Sequence, residues 1–295
     1  MRKTIRNKKR CLPLYQYFEG WYVKQQNTNE TVALIPAFHV DSNGTSSASL
    51  QVITDTETYC IPFPSSHFYV NRKKMNLHLG QSTFSKCGCV LDAESEQCRI
   101  NGVLYFHSFR PPAYNIMGPF SIFSFMECHH SVFSLFHRVE GCLTINGKDY
   151  VFHNGKGYME GDRGMSFPKR YVWTHCSAGN NSIMLSVADI PFGRFSFVGC
   201  IGFIYWNKKE YRIATYCGVR LLSVSNDTII LKQGKLLLKI KMLSSKSQLL
   251  YAPDKGSMSR FIRESPSCRV QYTCTIGGRT LFDFVSEQAS FENNW

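Results

Sequence analysis

Cys142-Leu143-Thr144-Ile145-Asn146-Gly147-Lys148-Asp149-Tyr150-Val151-Phe152 decides the fold class of this 295-residue chain. Two strand-like runs flank Asn146-Gly147, a dipeptide that accepts the positive φ angles of a two-residue hairpin turn. Gly277-Gly278 divides 270–276 from 279–285 in the same way, and Asn207-Lys208-Lys209 separates another pair less sharply. Elsewhere apolar residues recur at every second position, the mark of half-buried strands. Ile183, Leu185 and Val187 alternate with Met184, Ser186 and Ala188. Leu236, Leu238, Ile240 and Met242 share a face, with Lys239 and Lys241 on the other. Phe195, Phe197, Ile201, Phe203 and Tyr205 line a strand whose far side carries Ser196, Val198 and Cys200. No run of ten or more residues has helical periodicity. The chain reads as all-β, and so many strands close into barrels or sandwiches to avoid open edges.

Charged residues at 19% and aromatics at 14% mark a globular chain rather than a disordered one. No stretch of about 18 apolar residues is present, so no membrane-spanning helix is expected. The glycine-rich stretch 154–164 interrupts the strand pattern near the midpoint. It is either a linker or a loop at a barrel mouth, and it places a division at 155, giving domains 1–155 and 156–295. Six of the first ten residues are Lys or Arg without the apolar run of a secretory signal. That segment is a solvated tail or a tether to anionic lipid, at about 1 kcal/mol per basic residue near the surface. The expected location is cytoplasmic, with peripheral membrane contact through this segment. The net charge of +13 (34 Lys and Arg less 21 Asp and Glu) is scattered, and no nucleic-acid motif accompanies it, so nucleic acid is not the expected partner. Many of the twelve cysteines sit in strand-like runs and read as reduced, buried side chains. Cys87-Gly-Cys89 with Cys98 lacks the paired spacing of a zinc site.

Acids set among glycines and aromatics are the candidates for chemistry. Glu160 and Asp162 stand two apart in a stretch with glycines at 155, 157, 161 and 164, read as a loop that brings both carboxyls to a cavity. They suit a general acid and its partner or a polar anchor for a hydroxylated ligand. The alternative is an exposed turn salt-bridged by Lys169 and Arg170. Glu19 precedes Gly20, Trp21 and Tyr22, and is either catalytic or a structural acid bonded to an arginine. His129 and His130 point to opposite faces of a strand and do not easily chelate one ion, so no metal is expected. Glu127 and His129 share a face. No phosphate loop, dinucleotide fingerprint, nucleophile elbow or zinc-protease motif occurs.

Phe18-Glu-Gly-Trp-Tyr22, Gly157-Tyr-Met-Glu160, Gly164 and Ser166-Phe-Pro-Lys-Arg-Tyr171 resemble the tocopherol cyclase family. Its bacterial members are similar also at Ser124-Phe-Met-Glu-Cys-His129, at Leu250-Tyr-Ala-Pro-Asp-Lys-Gly-Ser-Met-Ser-Arg260, and at Leu281-Phe-Asp-Phe-Val-Ser286 with Ala289-Ser-Phe-Glu292. The resemblance implies two tandem lipocalin-like antiparallel β-barrels. It also implies an isomerase-type chemistry without a cofactor, in which the phenol of a prenylated hydroquinol adds across the side-chain alkene to close a chromanol ring. An acid must protonate the alkene, aromatic faces must stabilise the tertiary cation, and water must be excluded, all expected inside a barrel. On this reading Glu160 is the acid, assisted by Asp162 or Glu19, and Trp21, Tyr22, Tyr158, Phe167, Trp173 and His129 contact the substrate. The family pattern after the second motif's glutamate carries a lysine and then a tryptophan, where this chain has Gly161 and Arg163. That departure leaves a second reading open, a non-catalytic binder or carrier of an apolar isoprenoid or lipid.

Overall fold

The computed structural model describes residues 16–123, 126–192, 194–244 and 247–295. The basic run 1–10 and the tether expected of it lie outside the described residues. Eleven strands make the first sheet: β1 (Tyr17–Gln26), β2 (Thr31–Val40), β3 (Ser46–Thr54), β4 (Thr58–Pro64), β5 (Phe68–Asn71), β6 (Asn76–Leu79), β7 (Ser82–Ser85), β8 (Gly88–Glu94), β9 (Arg99–Arg110), β10 (Cys128–Ile145) and β11 (Lys148–Gly164). Ten make the second: β12 (Tyr171–Ala178), β13 (Asn181–Phe192), β14 (Phe195–Trp206), β15 (Lys209–Ala214), β16 (Arg220–Val224), β17 (Thr228–Gln233), β18 (Leu236–Ser244), β19 (Gln248–Asp254), β20 (Ser257–Ile276) and β21 (Arg279–Asn293). All pairings are antiparallel, and among the described residues the only helices are short 3₁₀ turns. Residue 155 lies inside β11, and the change of sheet falls between Gly164 and Tyr171.

Both sheets follow one plan. A four-strand meander (β1–β4, β12–β15) passes through a 3₁₀ turn, Ser65–His67 or Thr215–Cys217, into a second meander. The last strand then returns to pair with the first, β11 with β1 and β21 with β12. This curls each sheet into a barrel, the first nearly closed. The hairpin dipeptides behave as their chemistry requires: Asn146 and Gly147 have φ of 50° and 81°, Gly277 and Gly278 59° and 81°, and Asn207 and Lys208 50° and 65°.

Alternation along each strand sends side chains to two different cores. In β2, Val32, Leu34, Phe38 and Val40 fill the first barrel, while Ala33 and Ile35 face the second. In β13, Ile183, Leu185 and Val187 fill the second barrel, while Met184 and Ala188 face the first. A third apolar cluster, including Tyr22, Tyr158, Tyr171, Trp173, Phe203 and Tyr205, therefore forms a seam between the barrels. Two straps reinforce it. Tyr251 of β19 exchanges backbone bonds with the Gln51 amide of β3, both at 3.0 Å. From the other side Arg212 of β15 donates to the carbonyls of Tyr114 and Asn115 at 2.9 and 3.0 Å, docking the β9–β10 connection on the second barrel. The turn between β19 and β20 approaches so closely that a Cβ on Gly256 would lie 1.9 Å from the Val40 carbonyl oxygen. The eleven cysteines among the described residues are free, six of them buried.

Candidate functional site

The seam holds a cavity of about 180 Å³. This corrects the expectation of a chamber inside one barrel: each barrel interior carries its own apolar cluster, and this cavity lies between the two barrels. Phe18, Phe167, Tyr171 and Trp173 line it with Phe120, Phe197, Ile190 and Ile201, and Met117, Met126 and Met258 complete the apolar wall. The rings pack on one another, Phe18 on Phe167 at 5.3 Å and Tyr22 on Trp173 at 5.4 Å, both edge-on.

The polar wall comes from the same alternation. In β11, Tyr158, Glu160 and Asp162 face the seam, and Gly155, Gly157 and Gly161 face the barrel. This corrects the reading of 154–164 as a loop. The glycines mark where rings inside the barrel press against the strand, since a Cβ on Gly157 would meet the His137 ring at 2.1 Å and one on Gly161 the Phe133 ring at 2.8 Å. Glu160 is only 5% exposed and lines the cavity. The fully buried Tyr158 hydroxyl donates to its Oε2. His130, directly opposite Asp162 on β10, sets Nδ1 2.9 Å from Asp162 Oδ1 and Nε2 3.2 Å from Glu160 Oε2. Burial opposes charge on this imidazole, but Asp162 and Glu160 together outweigh it and raise its pKa well above the usual value. An imidazolium thus joins the two carboxyls. Both ring nitrogens face carboxylate oxygens, so the trio is built as an ion cluster hydrogen-bonded at Nδ1, although its donor atoms lie within 4.8 Å of one another. Cys128 Sγ adds a 3.3 Å contact to Asp162.

Two further acids reach the seam from the second barrel. Glu292 lines the cavity and accepts from the Tyr171 hydroxyl at 2.8 Å. Glu264, its cross-strand neighbour on β20, is 1% exposed and accepts from Tyr22 at 2.8 Å. Its second oxygen, Oε2, is buried without a hydrogen-bond partner. Burial lifts the Glu264 pKa to about 7, with Glu160 adding to the rise while Tyr22 and Lys24 oppose it. Burial and then the Glu264 charge push Glu292 well above the carboxylate range. Lys24, wholly buried beside them, donates to Ser290 Oγ at 2.6 Å and to the Gln288 carbonyl at 3.2 Å, and burial lowers its pKa to about 8.

Of the residues singled out in the sequence, Glu160, Asp162, Tyr22, Phe167 and Trp173 meet around the cavity. Trp21 touches its edge, but the indole packs on Phe133 in the first barrel's core. Tyr158 stands behind Glu160, stacked on His175 at 3.8 Å. Glu19 lies on the other face of β1, where Arg72 clamps both carboxylate oxygens and Tyr17 donates at 3.0 Å. His129 also points away, and its neighbour His130 takes the cavity position. Gly161 and Arg163 share the face opposite Glu160 and Asp162, with Arg163 exposed, so the departures from the family pattern do not touch the cavity. Lys169 and Arg170 are exposed, and the Glu160 and Asp162 carboxyls are partnered by His130 instead.

With this geometry in place, comparison with known proteins places the resemblance. The sequence model of the tocopherol cyclase-like family matches residues 94–197, a span that holds His130, Glu160, Asp162 and Trp173. Over that span the chain is similar to the tocopherol cyclase-like family. No curated protein matches the sequence. Among solved structures, a protein described as an AttH from Nitrosomonas europaea superposes with a TM-score of 0.55 at 11% identity, covering 100% of both chains, which shows a shared fold. A protein with unknown function from the DUF3598 family of Nostoc punctiforme aligns over 96% of both chains at 7% identity, with a TM-score of 0.16. Among the described residues no helix is long and apolar enough to cross a membrane.

Proposed function

We propose that the seam cavity binds a prenylated hydroquinol, or a closely related isoprenoid phenol, and closes it to a chromanol by acid-promoted addition of the phenol to the alkene. One observation supports this most: an aromatic and aliphatic wall faces a single polar wall made of Glu160, Asp162, His130 and Glu292. The apolar side suits an isoprenoid chain, and the polar side suits the hydroxyls of the ring. The Glu160 carboxylate, fixed by Tyr158 and His130, accepts a hydrogen bond from the ring hydroxyl that does not close the ring. Trp173 and Tyr171 offer ring faces to the developing tertiary cation, an attraction of about 2 kcal/mol when desolvated. Holding hydroxyl and alkene in register contributes roughly 7–11 kcal/mol more. Product and substrate are isomers, so neither oxidant nor reductant is consumed.

Purified protein incubated anaerobically with a panel of prenyl hydroquinols should form a chromanol of equal mass. Glu160→Gln should raise KM and slow turnover, because the amide cannot pair with His130 as a carboxylate does. Recovery of every quinol unchanged from the wild-type protein refutes cyclisation. Retention of the unchanged quinol by the protein in that case is the signature of a carrier.

A further inference from the structure

We infer that Glu292 is the acid that protonates the alkene, with Glu264 as the neighbour that keeps it neutral and Glu160 left to hold the phenol. The assignment rests on the cyclisation reading above and names the proton donor within it. Glu292 lines the cavity, and its two cross-strand neighbours are Glu264 on β20 and Trp173 on β12. Side chains directly opposite on adjacent strands have Cβ atoms about 5 Å apart, and like charges there repel. Lys24, a buried cation of this seam, spends its hydrogen bonds on Ser290 and Gln288 rather than on either carboxyl. Two such acids do not both ionise, and the unpartnered Oε2 of Glu264 shows that the site supplies no donor to offset a second charge. The groups facing the pair are Tyr22 and Lys24 from β1, Glu160 and Asp162 from β11, Tyr171 from β12 and, beyond Tyr171, Arg260 of β20, whose guanidinium is 5.9 Å from that ring. Arg260 itself donates to the Pro168 and Lys169 carbonyls.

Glu160 has the opposite setting. Its Oε2 takes the Tyr158 hydroxyl and lies beside the His130 imidazolium, an ionic arrangement suited to an acceptor. Tyr171 engages Oε2 of Glu292 and leaves Oε1 to carry the proton. That proton passes to the less substituted alkene carbon, where the π pair forms the new C–H bond and leaves a tertiary cation. A phenol lone pair then forms the C–O bond, and the phenolic proton returns to the Glu292 carboxylate. In the six-membered ring being closed, the protonated carbon and the oxygen are both bonded to the former cation carbon. One carboxyl group therefore reaches both.

The test pairs kinetics with infrared spectroscopy. Glu292→Gln should lower kcat by 10²-fold or more with KM kept, in contrast to the KM effect of Glu160→Gln. Glu264→Gln should move the alkaline limb of the pH profile to lower pH, because the repelling neighbour is gone. At pH 8, above the value of about 7 for Glu264, the wild-type protein should still show the carbonyl stretch of a neutral carboxylic acid, lost in Glu292→Gln. A wild-type rate in Glu292→Gln, or an acid band that survives it, overturns the assignment. If the wild-type protein turns over no quinol, the proposed reaction fails separately, and the band still decides whether Glu292 is the cavity's neutral acid.

Discussion

The Glu264 contribution to stability should fall as pH rises from 5 to 7, the reverse of an ordinary carboxylate salt bridge. Glu264 has its pKa lifted by burial from 4.5 to about 7 in the folded state. Between those values the folded chain holds a proton that the unfolded chain has released, so each added pH unit favours unfolding. At about 1.4 kcal/mol per unit the full window is worth about 3 kcal/mol, shared with Glu292 because the pair titrates together. Glu264 is 1% exposed, so solvent screens little of this. His130 acts in the same direction at higher pH: its raised pKa gives stability that is complete below about 6.5 and is lost as pH climbs through the folded value. Lys24 opposes both. Its pKa, lowered from 10.5 to about 8, makes stability recover between those values. Buried neutral histidines work the other way below about 6.5, among them His39, lowered to about 4, and His137, lowered to about 3, so the Glu264 share is read by urea unfolding as the difference between variant and wild type at each pH. Glu264→Gln should match the wild type near pH 5 and exceed it at pH 8. If the difference between variant and wild type is the same at both pH values, the buried-acid account of the seam is wrong.

Three other perturbations probe separate parts of the structure. His130→Gln leaves Glu160 and Asp162 facing each other without their cation, and chemical denaturation at pH 6 should register a loss of about 3–5 kcal/mol. Gly161→Ala drives a Cβ to within 2.8 Å of the Phe133 ring, and should destabilise by about 1–3 kcal/mol in the same assay, whereas Arg163→Ala should leave stability and quinol affinity within about 0.5 kcal/mol of wild type. Ser186→Phe places a ring in the cavity, and fluorescence titration should show quinol uptake abolished while circular dichroism reports an unchanged fold.

The fold was legible because its signals are local. Period-two alternation and the dipeptides Asn146-Gly147 and Gly277-Gly278 need only their neighbours to act, and they appear as hairpins with the expected positive φ angles. The stretch 154–164 was misread for an equally physical reason. Glycines usually mark chain flexibility, but here three of them form the inner face of a strand against which His137 and Phe133 pack. Only the tertiary neighbours reveal this. The acids divided the same way. Glu160 and Asp162 stand on one strand two residues apart, so their spacing placed them on one face. Glu264 meets Tyr22 across a separation of 242 residues, and nothing near either one predicts it. His130 was passed over because its adjacency to His129 was weighed as a chelating pair, when the partner that matters, Asp162, lies on the next strand.

Placing the cavity between barrels also explains why strands such as β1 and β2 are buried on both faces. A sheet that wraps its own core usually shows water its outer side, giving a clean alternation of apolar and polar residues. In β2 every residue but Ile35 is buried, because Val32 and Leu34 serve the first barrel while Ala33 and Ala37 serve the seam. Glu264 and Glu292 thus occupy positions that in an isolated second barrel would face solvent, and they acquire their raised pKa values only when the first barrel covers them. Acid chemistry and barrel docking are therefore coupled: any change that opens the seam returns Glu264 and Glu292 to ordinary carboxylates, removing the neutral acid while both barrels remain folded.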